Sequence, residues 1–228
     1  NGPQGAGMVA ANLGRYIATA YQTPVCIINA AYSGTVIEQH QRNDANRTDL
    51  STIYGRALRR AQVAGVVNNV KAILYYQGEY HNGFATYPGL FDKLYKAWKE
   101  DFPAVQKIYI EQINTGCDPI GNAEIRDIQR KFAQTYSDIT VMAACGIREF
   151  TGCHFYYKGY EQMAQWWRPV YGRDFYGDQA ANITSPKIIS AAYSTSAHTA
   201  LDLSFDMPVV WPADTLGSRM EDHLKLDG

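Results

Sequence analysis

The sequence is poor in charge, and neither sign is in clear excess. Charged residues make up 19% of the 228 residues, and 21 Lys and Arg nearly balance 22 Asp and Glu. Proteins that bind nucleic acids usually carry a basic excess or a basic stripe. The composition therefore argues against a nucleic-acid partner.

Cysteine is also scarce. The four cysteines are Cys26, Cys117, Cys145 and Cys153, and they include no Cys-x-x-Cys motif or other metal-ligand spacing. We therefore expect no metal site. Cys26 lies in an apolar stretch and is predicted to be a buried thiol. One disulfide among the other three is expected in an oxidising compartment, and the sequence leaves the pair open.

Two further signals are missing. No run of 18 apolar residues occurs, so we expect no membrane-spanning helix. No Gly-x-x-x-x-Gly-Lys or Gly-x-Gly-x-x-Gly motif follows a predicted strand, which argues against a cradle for the phosphates of a nucleotide. We expect the protein to need no cofactor.

The sequence does contain a regular alternation of strand and helix patterns. Short apolar runs at 25–31, 70–76, 107–113 and 139–144 predict strands buried on both faces. Between them, apolar residues recur at helical spacing. Strands that alternate with helices predict an α/β fold, with a parallel sheet and helices on both of its faces. The residues that mark the five predicted helices are Met8, Leu13 and Ile17; Ala57, Leu58, Ala61 and Ala64; Leu90, Leu94 and Trp98; Ile125, Ile128 and Phe132; and Tyr160, Met163 and Trp167.

The pattern changes after residue 177. Residues 178–186 are mostly polar and are interpreted as a linker. Beyond them, an apolar run at 188–193 and the alternation of Leu201, Leu203 and Phe205 with polar residues predict two strands. We therefore predict an α/β domain at 1–177, a linker at 178–186 and the start of a β-sandwich-like module at 187–228.

Three polar clusters follow predicted strands, where binding sites of parallel α/β sheets form. The first is Tyr32-Ser33-Gly34-Thr35, directly after the strand at 25–31. Gly34 lets the backbone approach a ligand, and its N–H could serve as an oxyanion donor. Ser33 lacks the Gly-x-Ser-x-Gly elbow that presents a nucleophilic hydroxyl. An ordinary turn after a strand explains this cluster equally well.

The second cluster is Gln77-Gly78-Glu79, after the strand at 70–76. A glutamine amide can donate to a developing oxyanion, and a carboxylate can orient a histidine. His81 lies close to Glu79 in the sequence and could contact a substrate. A plain polar turn is the competing interpretation.

The third cluster contains His154, which lies between a glycine-containing turn and the last predicted helix. A histidine in this place is well positioned to act as a general base. A purely structural histidine is the alternative. His40, His198 and His223 are less well placed.

Together the clusters resemble the sialate O-acetylesterase-like branch of the SGNH hydrolases, which is related to carbohydrate esterase family six. The resemblance runs in order from about residue 5 to residue 177, and it implies a flavodoxin-like, three-layer fold of the SGNH hydrolase type. The matching segments are residues 24–43, 52–65, 70–79, 87–98, 109–113 and 152–160.

The resemblance also implies roles for these residues. Gly34 and Gln77 would form the oxyanion hole, Glu79 would be the acid of a Gln-Gly-Glu motif, and His154 would be the catalytic base. The reaction would be Ser–His acyl transfer, in which a serine attacks an acetyl ester on a sugar and water then releases acetate. The candidates for substrate contacts are Ser33, Thr35 and His81.

Two features depart from the family's pattern. The nucleophile normally lies in a Gly-Asp-Ser or Gly-Gln-Ser-Asn motif, which does not occur in this sequence, so we expect that block to lie outside the chain. Thr151 stands where the family usually has aspartate, three residues before the histidine. Loss of such an acid can lower turnover about 10⁴-fold. Glu79 or Glu149 could supply the charge instead.

Two functions therefore stay open. The first is a carbohydrate O-acetylesterase acting on an acetylated sialic acid or a xylan-like glycan. Members of this branch are often secreted by bacteria, so we expect a secreted or cell-surface protein. The second is a catalytically impaired homologue that serves as a glycan-binding or cell-surface structural domain. The sequence does not decide which glycan or which acetyl position is recognised.

Overall fold

A parallel sheet lies at the centre of the α/β part of the chain. The computed structural model describes residues 6–80, 85–114, 123–147 and 149–210. Within these ranges the sheet has the strands β1 (Ala72–Tyr75), β2 (Lys107–Gln112) and β3 (Ile139–Ala143), in the spatial order β1–β2–β3. Both pairings are parallel, with Ile73 opposite Ile108 and Ile110 opposite Val141. Three of the four strands predicted for the α/β part are thus confirmed.

The five predicted helices are confirmed as well. Helix α2 begins after Thr52, whose hydroxyl accepts a hydrogen bond from the Gly55 N–H at 2.9 Å. Helix α3 has a proline in its first turn, where the missing N–H costs nothing. Helix α5 is followed by Gly177, whose left-handed backbone suits glycine. The helices are α1 (Met8–Tyr21), α2 (Ile53–Val63), α3 (Tyr87–Asp101), α4 (Ala123–Thr135) and α5 (Tyr157–Tyr176).

The alternation of side chains along β2 divides the core into two layers. Ile108 and Ile110 point to the cluster formed with α2, α3 and α4. Tyr109, between them, belongs to the cluster formed with α1 and α5, which includes Leu13 and Trp167. Successive strand residues face opposite sides of a sheet, so helices cover both faces. This arrangement agrees with the predicted three layers.

The strand predicted at 25–31 is wrong. This segment has no strand assignment, because no ladder of backbone hydrogen bonds joins it to a described strand. Val25 and Ile27 are 39% and 37% exposed. Cys26 is an exposed free thiol, which corrects the prediction that it is buried. The apolar run indicated burial, but a strand also needs a hydrogen-bonded neighbour.

The segment between residue 41 and α2 is bound to the last residue of α3, Asp101, by hydrogen bonds and ion pairs. The carboxylate of Asp101 accepts hydrogen bonds from Arg42 at 3.0 Å, from Arg47 at 2.9 Å and from the Tyr54 hydroxyl at 2.9 Å. Its side chain is 5% exposed. A buried carboxylate with three donors is well compensated for its lost hydration. The network therefore fixes the path of the chain between the 3₁₀ turn Ile37–His40 and α2.

A short hairpin precedes α5, and a second one lies in the last part of the chain. The first joins β4 (Phe150–Thr151) and β5 (His154–Phe155) in antiparallel register. The chain divides into two units, Asn1–Ile183 and Thr184–Gly228. In the second unit, β6 (Ile188–Tyr193) pairs antiparallel with β7 (Leu201–Phe205), which confirms the two predicted strands. A β-sandwich is not shown.

Candidate functional site

The loop that holds Ser33, Gly34 and Thr35 is a closed turn. The Thr35 hydroxyl donates to the Tyr32 carbonyl at 2.7 Å. Gly34 has φ +69°, a left-handed conformation that favours glycine, and open space surrounds the place where a side chain would begin. Ile37, two residues after Thr35, is fully buried in the core and so holds the end of the loop in place. The turn thus exposes Ser33 and Gly34 at a fixed place.

His40 supports this turn, although sequence reasoning ranked it low. Its Nε2 lies 2.7 Å from the Thr35 hydroxyl oxygen. That hydroxyl already uses its hydrogen for the Tyr32 carbonyl, so His40 must donate and carries its hydrogen on Nε2. Burial lowers the pKa of His40, which keeps the ring neutral near pH 7. The neighbours of His40 in the sequence, residues 38–42, are polar, so no local pattern marked it as a supporting residue.

Gln77 is the most completely bonded of the predicted site residues. Gln77 is 7% exposed and lies two residues after the end of β1. Nε2 donates to the Thr35 carbonyl at 3.3 Å. Oε1 accepts from the Tyr75 hydroxyl at 2.9 Å and from the Tyr87 hydroxyl at 3.1 Å. The structure thus brings the first and second predicted clusters together.

The backbone at Gln77 is held as firmly as its side chain. Its carbonyl accepts from Gln129 Nε2 at 2.8 Å and from the Tyr87 hydroxyl at 3.1 Å. Gln129 is fully buried, and its Oε1 accepts from the Ile113 N–H at 3.0 Å. Sequence reasoning missed Gln129, because a glutamine on the helical pattern of α4 gives no sign that it points inward.

Glu79 lies among tyrosines. Burial, together with the nearby negative charge of Glu79, raises the pKa of Tyr76 well above its usual range. Burial is also the main cause of the raised pKa of Tyr160, to which Glu79 contributes. Tyr76 and Tyr160 both pack on the cluster that contains Phe155, the residue after His154. Through these packed side chains, Glu79 is connected to the β4–β5 hairpin that contains His154.

His154 lies at the start of β5, directly opposite Thr151. Gly152 has φ +58° in the connecting turn, which favours glycine. His154 is exposed, and within the described residues it has no hydrogen-bond or ion-pair partner. The neighbouring Cys153 is disulfide-bonded, whereas Cys145 is a free thiol. Among the described residues, the imidazole therefore has no charged partner.

Glu111 is a buried acid that sequence reasoning also missed. It is 4% exposed on β2, where Oε2 accepts from Trp167 Nε1 at 2.7 Å. Oε1 is buried and has no hydrogen-bond partner in the described part of the chain. Burial raises the pKa of Glu111 to about 8. The carboxyl group is consequently protonated at neutral pH.

The remaining features lie outside the group formed by Gly34, Gln77, Glu79 and His154. His81 lies outside the described residues. A groove of about 450 Å³ on α2, lined by Leu50, Val63 and three arginines, contains none of the predicted site residues. In the ranges that the structure describes, no group of three or more His, Cys, Asp or Glu could hold a metal ion. No helix in those ranges is both long enough and apolar enough to cross a membrane.

Comparison with known proteins decides the family. Residues 4–171 match the family described as carbohydrate esterase, sialic acid-specific acetylesterase. The chain belongs to this family. The matched range contains the sheet, the loop at Gly34, Gln77 and the hairpin of His154, so all the described site residues lie inside this acetylesterase domain. No curated protein matches the sequence significantly.

Two solved structures share the fold of this acetylesterase domain. A protein from Arabidopsis thaliana is 21% identical and superposes with a TM-score of 0.62, over 77% of this chain and 72% of that one. A carbohydrate acetylesterase from Xanthomonas citri is 17% identical, with a TM-score of 0.63 over 81% of this chain. The chain spans 44% of the Xanthomonas protein. At these identities the likeness supports the α/β fold alone.

Proposed function

We propose that this domain carries out the acyl-transfer chemistry of a carbohydrate O-acetylesterase, acting on an acetylated sialic acid or a xylan-like glycan. A serine hydroxyl attacks the acetyl carbonyl, and His154 takes its proton. The sugar oxygen leaves with that proton, and water then releases acetate in the same way. The negative charge of Glu79 stabilises the positive charge that His154 gains when it takes the proton. The protein acts outside the cell or at its surface.

The arrangement of Gln77 is the observation that carries this proposal. One N–H of its amide is bonded to Thr35, and the other has no acceptor among the described residues. The N–H of Gly34, in the same turn, also bonds to no described group. Donors that are fixed before the substrate binds stabilise a developing oxyanion without reorganising. Two such donors are what an acyl-transfer site requires.

The test uses the protein encoded by the whole gene. Acetate release is measured from O-acetylated sialic acid, acetylated xylan and a chromogenic acetate ester. His154→Ala is expected to lower kcat by about 10²- to 10⁴-fold, because the general base is lost. His198→Ala, in the second unit, is the matched control and should retain full activity. Equal rates for wild type and His154→Ala on all three substrates would refute the proposal.

A second function is favoured by one specific observation. Thr151 directly faces His154 in the hairpin, and within the described residues no carboxylate contacts the imidazole. A catalytically impaired domain that binds glycans would have this arrangement. Under the esterase proposal, the charge of Glu79 acts on the site without contacting the imidazole, so Thr151→Asp changes kcat by less than tenfold. A gain of 10³-fold or more from an almost inactive wild type would favour the impaired domain.

A further inference from the structure

The hydrogen bonds around Gln77 determine which way its amide faces. The Thr35 carbonyl can only accept, so the amide nitrogen must be the group beside it, at 3.3 Å. The amide oxygen therefore faces the two phenol hydroxyls of Tyr75 and Tyr87. If the amide rotated by 180°, two oxygens would meet at Thr35. The donor and acceptor chemistry of the neighbouring groups therefore fixes the orientation of the amide.

We propose that Tyr75 and Tyr87 are positioning residues, which hold the Gln77 amide so that its second N–H faces the substrate carbonyl oxygen. This inference rests on the proposed function. Neither tyrosine touches the substrate: Tyr75 is 7% exposed and Tyr87 is fully buried. They act by filling the acceptor sites of Oε1, which would otherwise be a buried carbonyl without a donor. An amide with that oxygen unsatisfied would rotate or shift to find water.

The two hydroxyls form one small network. Tyr75 and Tyr87 lie 3.4 Å apart, oxygen to oxygen, and the Tyr87 hydroxyl lies 3.1 Å from both Oε1 and the backbone carbonyl oxygen of Gln77. Burial raises the pKa of Tyr87 to about 12, and it raises that of Tyr75 well above its usual range. Both groups therefore stay protonated donors at any pH at which an acetyl ester would be assayed.

The experiment compares Tyr75→Phe, Tyr87→Phe and the double variant with Tyr95→Phe. Tyr95 is a matched control, because it also lies on α3 and its hydroxyl donates to an acceptor, Asp138, at 3.0 Å. Two quantities are measured in the protein encoded by the whole gene. The first is kcat and KM for a chromogenic acetate ester. The second is the pair of side-chain N–H resonances of Gln77 in ¹⁵N-labelled protein, assigned with Gln77→Glu, with hydrogen exchange followed over time.

The expected result is a loss of positioning without a loss of binding. In the double variant, kcat should fall at least tenfold while KM stays within about twofold, and the Gln77 N–H pair should lose its separate, slowly exchanging signals. Tyr95→Phe should change neither quantity. Melting curves exclude unfolding as the cause.

Two results would overturn the inference. One is an unchanged Gln77 N–H pair in the double variant. The other is a change that Tyr95→Phe reproduces. If wild type hydrolyses no acetate ester, the proposed function fails, and the N–H spectrum still decides whether the tyrosines hold the amide.

Discussion

Gly78, between Gln77 and Glu79, shows how much one backbone position determines at this site. Its φ is +136°, which residues with a side chain rarely adopt. An added Cβ would lie 3.0 Å from Ile125 Cγ2 and 3.2 Å from Gln129 Nε2. The close contact with α4 allows Gln129 to reach the carbonyl of Gln77. An alanine at position 78 would therefore press on the side chains of Ile125 and Gln129, which would have to shift by a few tenths of an ångström.

Gly78→Ala is therefore expected to lower the free energy of unfolding by about 2–3 kcal/mol, through backbone strain and overpacking. Urea denaturation measures the change. Gly89→Ala is the matched control, because Gly89 lies in α3 with nothing within 4 Å of an added Cβ. That variant should be neutral or more stable by up to about 1 kcal/mol. Equal free energies of unfolding for the two variants would contradict the claim that a side chain at position 78 is strained.

At the scale of elements, β2 places an acidic side chain, Glu111, in the core, and this makes the stability of the fold depend on pH. Folding raises the pKa of Glu111 from 4.5 to about 8, because burial disfavours its charged form. The folded protein thus binds more protons than the unfolded chain between these two values. The free energy of unfolding must fall as the pH rises through this window, by up to ~1.4 kcal/mol for each pH unit, and level off above it.

Glu111→Gln should remove this part of the pH dependence, because glutamine does not titrate. The variant keeps an oxygen for Trp167 Nε1, so the contact with α5 survives. Urea denaturation at pH 5, 6.5 and 8 compares it with wild type and with Glu124→Gln, which changes an exposed acid in α4. The difference in stability between Glu111→Gln and wild type should shift in favour of the variant as the pH rises. A constant difference would refute the raised pKa.

Elements were predictable from the sequence where an apolar pattern coincided with a satisfied backbone, either inside a helix or against a neighbouring strand. The pattern around Leu90, Leu94 and Trp98 marked α3, and the run at 107–113 marked β2, since periodicity reports burial directly. The run at 25–31 carried the same signal but lacks a ladder. A single segment of sequence does not specify its pairing partner, which is why this prediction failed.

The candidate site was predictable only in part, for a related reason. Gln77 and the Gly34 turn were found because both follow apolar runs, and the structure brings them to within one hydrogen bond of each other. Tyr87 and Gln129 lie 10 and 52 residues from Gln77 and reach it only through the packing of α3 and α4. Contacts of this kind depend on the helices' rotation against the sheet, which local patterns do not encode.

At the scale of the whole α/β unit, the sheet separates two cores that should respond to mutation independently. Phe91 and Phe132 stack with ring centroids 3.9 Å apart on one side of the sheet. Ile17 is 3% exposed in the cluster on the other side. Residues in contact share partners and couple energetically, whereas residues in separate clusters do not.

A pair of double-mutant cycles tests this separation. Phe91→Leu with Phe132→Leu should show a coupling of about 0.5–1.5 kcal/mol, since either change alone already removes the stacked pair. Phe91→Leu with Ile17→Val should be additive within about 0.5 kcal/mol. Urea denaturation supplies all the free energies of unfolding. Similar coupling in the two cycles would mean that strain passes through the sheet, and the two layers would then form one continuous core.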